Sequence, residues 1–159
     1  MIETTSHRVR DFMHENVITA TPQTTLRQAI EIMARSKTNG LVIIGDERTV
    51  VGILSTLDII SYIVPDYLEN DKHLASFEAE NIFAKRITEL AEDPVEQFMT
   101  KHVHTVKENH SLIEAATLLA EHRIRQLPVV NDANQLVGYI SRTNLKHAIA
   151  AVLGIEPTV

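Results

Sequence analysis

Cysteine is absent from the 159 residues. That removes disulfides, thiol nucleophiles and cysteine-ligated zinc or iron–sulfur centres, and it fits a reducing, cytoplasmic setting. Tryptophan is absent as well, and aromatic residues make up 4% of the chain, so aliphatic side chains must fill the core. Only five glycines are present, and no GxxxxGK-type loop is among them, which removes the common nucleoside-triphosphate cradle. No apolar run approaches the length of a membrane-spanning helix, and residues 1–13 are too polar for a signal peptide. Positive charge is in deficit: 15 Lys and Arg stand against 21 Asp and Glu, a formal charge of -6. Indiscriminate nucleic-acid binding needs the opposite balance.

What is present is ordinary globular material, 44% hydrophobic and 23% charged, arranged as an internal repeat. One ungapped offset sets Val9 on Val95, Phe12 on Phe98, Met13 on Met99, Val17 on Val103, Thr19 on Thr105, Leu26 on Leu112 and Ala29 on Ala115. The same offset continues through Leu41/Leu127, Asp46/Asp132, Val51/Val137, Gly52/Gly138 and Ser55/Ser141. Two units of about fifty residues are each too small to bury much surface alone. They are expected to pack together as a pseudo-two-fold pair. The division expected is repeat 1 over residues 1–64, an acidic helical insert over 65–94 and repeat 2 over 95–159.

Each repeat reads as a short helical turn (residues 9–13 in the first copy) followed by β-α-β-β-α, an α/β unit. In repeat 1 a short strand is expected at 17–19. A helix follows, in which Leu26, Ala29, Ile30 and Met33 recur at helical spacing after the possible caps Thr24 and Thr25. Strands are expected at 41–44 and 50–54, with a turn at 45–48 between them, and a helix at 56–64. The repeat 2 counterparts are 103–106, 112–122, 127–130, 136–140 and 143–153, with a turn at 131–134. The first strand of each repeat is expected to join the neighbourhood of the other repeat. In the insert, Leu74, Phe77, Phe83, Ile87 and Leu90 recur loosely at helical intervals.

The informative motif is a repeated turn, GILSTLD from Gly52 and GYISRTN from Gly138. A strand ends, a hydroxyl appears, and a helix begins. Ser55 with Asp58 three residues on can form a capping box, with Asp in place of the usual Glu. The same hydroxyl and carboxylate could instead bind the two hydroxyls of a ribose. The helix N–H groups beside them favour phosphate, and Asn144 can supply only part of what Asp58 supplies. Arg142 follows Ser141 directly, and Arg125 stands just before the next strand. Repeat 1 has Thr56 and Asn39 at those places, so repeat 2 is the better equipped for phosphate.

With FMHENVITA and FMTKHVHTV, RIRQLPVVND, and the GILSTLD and GYISRTN pair, the chain resembles a tandem pair of cystathionine-β-synthase (CBS) domains, a Bateman module. The resemblance covers residues 9–63 and 95–153. It implies two clefts at the interface of the paired units that take AMP, ADP, ATP or another adenosyl ligand such as S-adenosylmethionine. In the first cleft Thr19 and Ala20 would line the pocket, Thr38, Asn39, Gly40 and Leu41 would flank the base, and Ser55 and Asp58 would meet the ribose. In the second, Thr105, Val106, Ile124, Arg125, Gln126 and Leu127 would match, with Pro128, Ser141 and Asn144, and with Arg125 and Arg142 near phosphate. Val42 departs from the family at the place where repeat 2 has the usual Pro128, and Asn144 replaces the usual Asp. The resemblance further implies a regulatory module without catalytic activity, a symmetric homodimer, and a separate effector protein.

Other functions were weighed. An enzyme lacks support, because neither Ser55 nor Ser141 has a histidine at an analogous motif position. His102 and His104, with His110 or His122, could ligate a metal. Partly exposed polar histidines are the plainer reading, and repeat 1 has no matching set. A cyclic di-AMP receptor is a variant of the nucleotide reading that would use Arg125 and Arg142. A ligand-free structural or interaction module follows if the clamps are imperfect. DNA binding is disfavoured by the acidic balance and the lack of a basic recognition helix.

Overall fold

Leu26, Ala29 and Met33 return at helical spacing, and the computed structural model buries all three along one stripe of helix α2, Leu26–Ser36. The structure describes residues 7–66 and 82–156. In chain order the elements are α1 Val9–Phe12, β1 Thr19–Ala20, α2, β2 Gly40–Ile44, a 3-10 turn Asp46–Arg48, β3 Val50–Ser55 and α3 Thr56–Ile63. Then come α4 Ile82–Leu90, a 3-10 turn Val95–Gln97, β4 Val106–Lys107, α5 Leu112–Glu121, β5 Gln126–Val130, β6 Leu136–Ser141 and α6 Arg142–Val152. Each repeat is thus β-α-β-β-α. No described helix is long and apolar enough to cross a membrane.

The four longer helices of the repeats all start on a capping box. Thr25 with Gln28, Ser55 with Asp58, Ser111 with Glu114, and Ser141 with Asn144 each exchange side-chain and backbone bonds across the first turn. Helix α2 ends on Lys37 in the left-handed conformation (φ 52°), and the Thr38 N–H closes back on the Met33 carbonyl.

Each repeat holds a three-stranded sheet, ordered β1-β2-β3 in repeat 1 and β4-β5-β6 in repeat 2. β1 runs parallel to β2 with Thr19 on Val42 and Ala20 on Ile43. β4 runs parallel to β5 with Val106 on Val129, and β5 is antiparallel to β6. This corrects two expectations. The first strands lie later than expected, at 19–20 and 106–107. They pair within their own repeat, because the helix that follows each of them makes a crossover to the next strand, which leaves the two strands parallel neighbours.

The described residues divide into two compact units that do not coincide with the sequence repeats. One gathers residues 7–17, 46–50 and 103–156, and the other gathers the described residues of 18–45 and 51–102. The leading segments are exchanged. Val9 is fully buried in the repeat 2 core with Val106, Ala115, Leu119, Leu127, Val129 and Ile140. Val95 and Phe98 are buried in the repeat 1 core with Leu26, Ala29, Leu41, Ile43 and Leu54. Matching hydrogen bonds seat each segment. The Val9 N–H donates to the His110 carbonyl as Val95 donates to Thr24, at 2.9 and 2.8 Å. His14 and Tyr139 exchange both backbone bonds at 2.9 Å, as Thr100 and Ile53 do at 2.8 and 3.0 Å.

Of the insert, residues 82–90 form α4, while Leu74 and Phe77 lie outside the described residues. Leu90 packs on the repeat 1 core. Arg86 donates to the Tyr62 and Ile63 carbonyls at the C-terminus of α3, at 2.7 and 3.3 Å.

Candidate functional site

In each unit the candidate residues converge where the first strand, the loop before the second strand and the last helix meet. Register places Thr19 and Ala20 beside Val42 and Ile43. The Thr38 hydroxyl closes a tight turn by donating to the Gly40 carbonyl at 3.1 Å. The Asn39 carbonyl accepts from the Thr56 N–H at 2.9 Å, which ties the loop to the first turn of α3. Leu41 is buried and serves the core. In repeat 2 the Arg125 carbonyl accepts from the Arg142 N–H at 3.0 Å, the counterpart of the Asn39–Thr56 bond. Thr105 is half-buried ahead of β4, Val106 is buried, and Leu127 and Pro128 are sealed into the core. Gln126 opens β5 opposite Ser141.

The hydroxyl and carboxylate of repeat 1 are brought together, and they engage each other. The Ser55 hydroxyl donates to Asp58 Oδ2 at 2.8 Å, and the Ser55 N–H donates to the same oxygen at 2.7 Å. The Asp58 N–H returns a bond to Ser55 Oγ at 3.2 Å. The second carboxylate oxygen, Oδ1, accepts from the exposed Thr100 hydroxyl at 3.2 Å. The Ser55 hydroxyl is therefore spent on the cap. Asp58 Oδ1, which faces only an exposed hydroxyl, is the oxygen an incoming ligand could take. In repeat 2, Asn144 Oδ1 accepts from the Ser141 N–H at 2.7 Å and from the Ser141 hydroxyl at 2.8 Å. Asn144 is only 3% exposed, so it serves the cap first. The cationic groups lie outside: Arg125 and Arg142 are both exposed. Arg142 Nε donates to the Ile124 carbonyl at 3.1 Å, which fixes the guanidinium plane over the loop and leaves its terminal nitrogens for an anion.

Neither serine has a base among its partners, so no activated nucleophile is built at these turns. No group of three or more His, Asp or Glu side chains among the described residues can hold a metal ion. His102 and His104 do not share a strand. His104 stacks on His122 with centroids 3.7 Å apart and planes 16° from parallel. In that geometry the ring nitrogens lie in adjacent planes and do not converge on one point.

What sequence reasoning missed is the third partner of Asp58. Thr100 belongs to the leading segment of repeat 2, and only the exchange of segments brings it to α3. Its signal was slight: it follows Met99 directly in the aligned FM motif.

Comparison with known proteins agrees with the repeat. The CBS domain matches the chain twice, at residues 9–65 and 95–151. The chloroplastic CBS domain-containing protein CBSX2 of Arabidopsis thaliana is 30% identical over 150 residues, covering 89% of this chain and 63% of that protein. An inosine-5'-monophosphate dehydrogenase of Halobacterium salinarum is 33% identical over 128 residues, covering 80% of this chain and 21% of the enzyme. The chain thus spans less than two thirds of the length of these relatives. The crystal structure of CBSX2 in complex with AMP is similar with a TM-score of 0.71 and 29% identity, over 92% of this chain and 98% of that one. With both repeats matched and each folded as β-α-β-β-α, the chain belongs to the CBS domain family and carries the domain twice, as a Bateman module.

Proposed function

We propose that this chain is a non-catalytic regulatory module that binds an adenine nucleotide and passes its bound state to a separate effector protein. The observation that carries the reading is the arginine pair of repeat 2. Arg142 stands at N1 of α6, where helix N–H groups already favour an anion. It is held through Ile124, with Arg125 on the adjoining loop. The complex of CBSX2 with AMP supports the ligand class. In repeat 1 the ribose would take Asp58 Oδ1 in competition with Thr100, and the base would lie against Thr38, Asn39 and Gly40. Binding would shift the population between two states of the module by its differential affinity for them.

A ligand-free interaction module is the second reading. It is favoured by the self-satisfied caps, in which Ser55 and Asp58, like Ser141 and Asn144, already fill most of each other's bonding capacity.

Isothermal titration against adenosine, AMP, ADP, ATP, S-adenosylmethionine and cyclic di-AMP separates the two. Micromolar binding of one of them is the expected result. Arg142→Ala is expected to weaken AMP or ATP binding about tenfold or more, as losing a charge-assisted bond implies, while leaving adenosine unchanged. Asp58→Ala is expected to weaken adenosine itself at the repeat 1 site. Silence across the panel would sink the nucleotide reading.

A further inference from the structure

The helix face formed by α5 and α6 differs from its counterpart in repeat 1 in a way neither the fold nor the nucleotide reading uses. It carries an open groove of about 480 Å³ within the repeat 2 unit, lined almost wholly by carbon. Its floor is made by two small residues, Ala116 and Ala148; the repeat puts Ile30 and Tyr62 at those places. Its rims are aliphatic and stand out into solvent: Ile113 is 72% exposed, Ile149 60%, Val152 67% and Leu153 66%. The repeat 1 counterparts of Ile113 and Val152 are Arg27 and Asp66, which are charged and exposed. Arg27 is moreover paired with Glu92, and the adjoining end of α3 is capped by Arg86 of α4. One helix pair is thus finished for solvent, and the other is left as a contiguous apolar patch of the kind that marks an association surface.

We propose that this face is covered by the same face of a second copy of this chain, making a two-fold dimer through repeat 2 alone. Groove and ridge lie on one patch, so a two-fold axis lets the Ile149–Val152–Leu153 ridge of each copy enter the Ala116–Ala148 groove of the other. That is the self-complementarity an isologous contact demands. The rim residues carry no charge that would oppose a like face. Because the repeat 1 counterpart is charged, each chain has one such patch, and assembly closes at two. The pairing is independent of nucleotide and stands or falls apart from the functional reading above.

Sedimentation velocity of the full chain without nucleotide tests it. A dimer is expected at a chain concentration of about 50 μM. Giving repeat 2 the repeat 1 residues, Ile113→Arg with Val152→Asp, is expected to weaken dimerisation by about a hundredfold or more with circular dichroism unchanged. Leu57→Arg, at a site 70% exposed on α3, leaves dimerisation as it was. Because the chain has no cysteine, a single Val152→Cys reports proximity directly. A short bismaleimide is expected to couple it to its mate and to leave Leu57→Cys uncoupled. A wild-type chain that stays monomeric, a double variant that dimerises as well as wild type, or equal coupling at both cysteines overturns the proposal.

Discussion

In the repeat 1 unit the strand glycine Gly52 faces a methionine side chain; in the repeat 2 unit its counterpart Gly138 faces a carbonyl oxygen. A Cβ built on Gly52 would come within 2.5 Å of the Met99 sulfur, with the Thr100 carbonyl at 3.2 Å. A Cβ on Gly138 would come within 2.5 Å of the His14 carbonyl oxygen, which is itself held by the Tyr139 N–H at 2.9 Å. Both glycines allow a leading segment to lie flat against a strand. They differ in what would have to yield. A thioether can change rotamer, whereas a backbone carbonyl in a reciprocal pair of hydrogen bonds can move only by breaking them. One motif position therefore has a tolerant and an intolerant version in the same chain.

The largest expected effect follows from that contrast. Gly138→Ala should destabilise by about 3 kcal/mol or more and Gly52→Ala by about 1 kcal/mol, the range set by how far an overpacked site can relax. Urea unfolding of the two variants measures both. Equal losses would mean that the His14 segment shifts as readily as the Met99 side chain, and the contrast would be void.

The helix caps give the next. Asn144 is buried, whereas Asp58 is half-buried. Replacing either by alanine strips the acceptor from a serine N–H and hydroxyl. At Asp58 water can take the vacated place; at Asn144 it has little access. Asn144→Ala should cost about 2 kcal/mol and Asp58→Ala about 1 kcal/mol. A reversed order would show that charge on the cap matters more than its burial.

Much of this was legible in the sequence, and the reasons are local. Thr25, Ser55, Ser111 and Ser141 announce their helices because a capping box is written within four residues. Arg142 announced itself by standing where repeat 1 has Thr56. The first strands were misplaced because a two-residue parallel strand has no periodicity of its own; Thr19 and Val106 are strand residues only because Val42 and Val129 lie beside them. The exchange of leading segments was invisible for a different reason. An ungapped repeat says that Val9 and Val95 are equivalent, but not which core each one enters. The apolar groove was written plainly in the alignment, as Ala116 against Ile30 and Ile113 against Arg27. It went unread because attention was on where the repeats agree.

The smallest expected effect concerns the caps of α2 and α5, equivalent helices closed by different chemistry. Gln28 closes the α2 box with an amide, its Oε1 accepting from the Thr25 N–H at 3.0 Å. Glu114 closes the α5 box with a carboxylate, accepting from the Ser111 N–H at 2.7 Å and the Ser111 hydroxyl at 3.2 Å. Only the second can titrate. The Ser111 backbone N–H, chiefly, holds the Glu114 carboxyl below its ordinary value of 4.5, with the Ser111 hydroxyl and His110 adding to it. A carboxyl depressed in the folded state binds protons less readily there than in the unfolded chain. Its stabilisation is therefore complete above the ordinary value and is lost as pH falls through the lower, folded one. Glu114→Gln should flatten that acid limb, and Gln28→Glu should add a second contribution of the same sign. Urea midpoints followed from about pH 6 to about pH 3 read both, within the range where an exposed carboxylate titrates. If the gap between wild type and Glu114→Gln stays constant over that interval, the α5 cap does not sense protons, and the two helix caps are equivalent in kind.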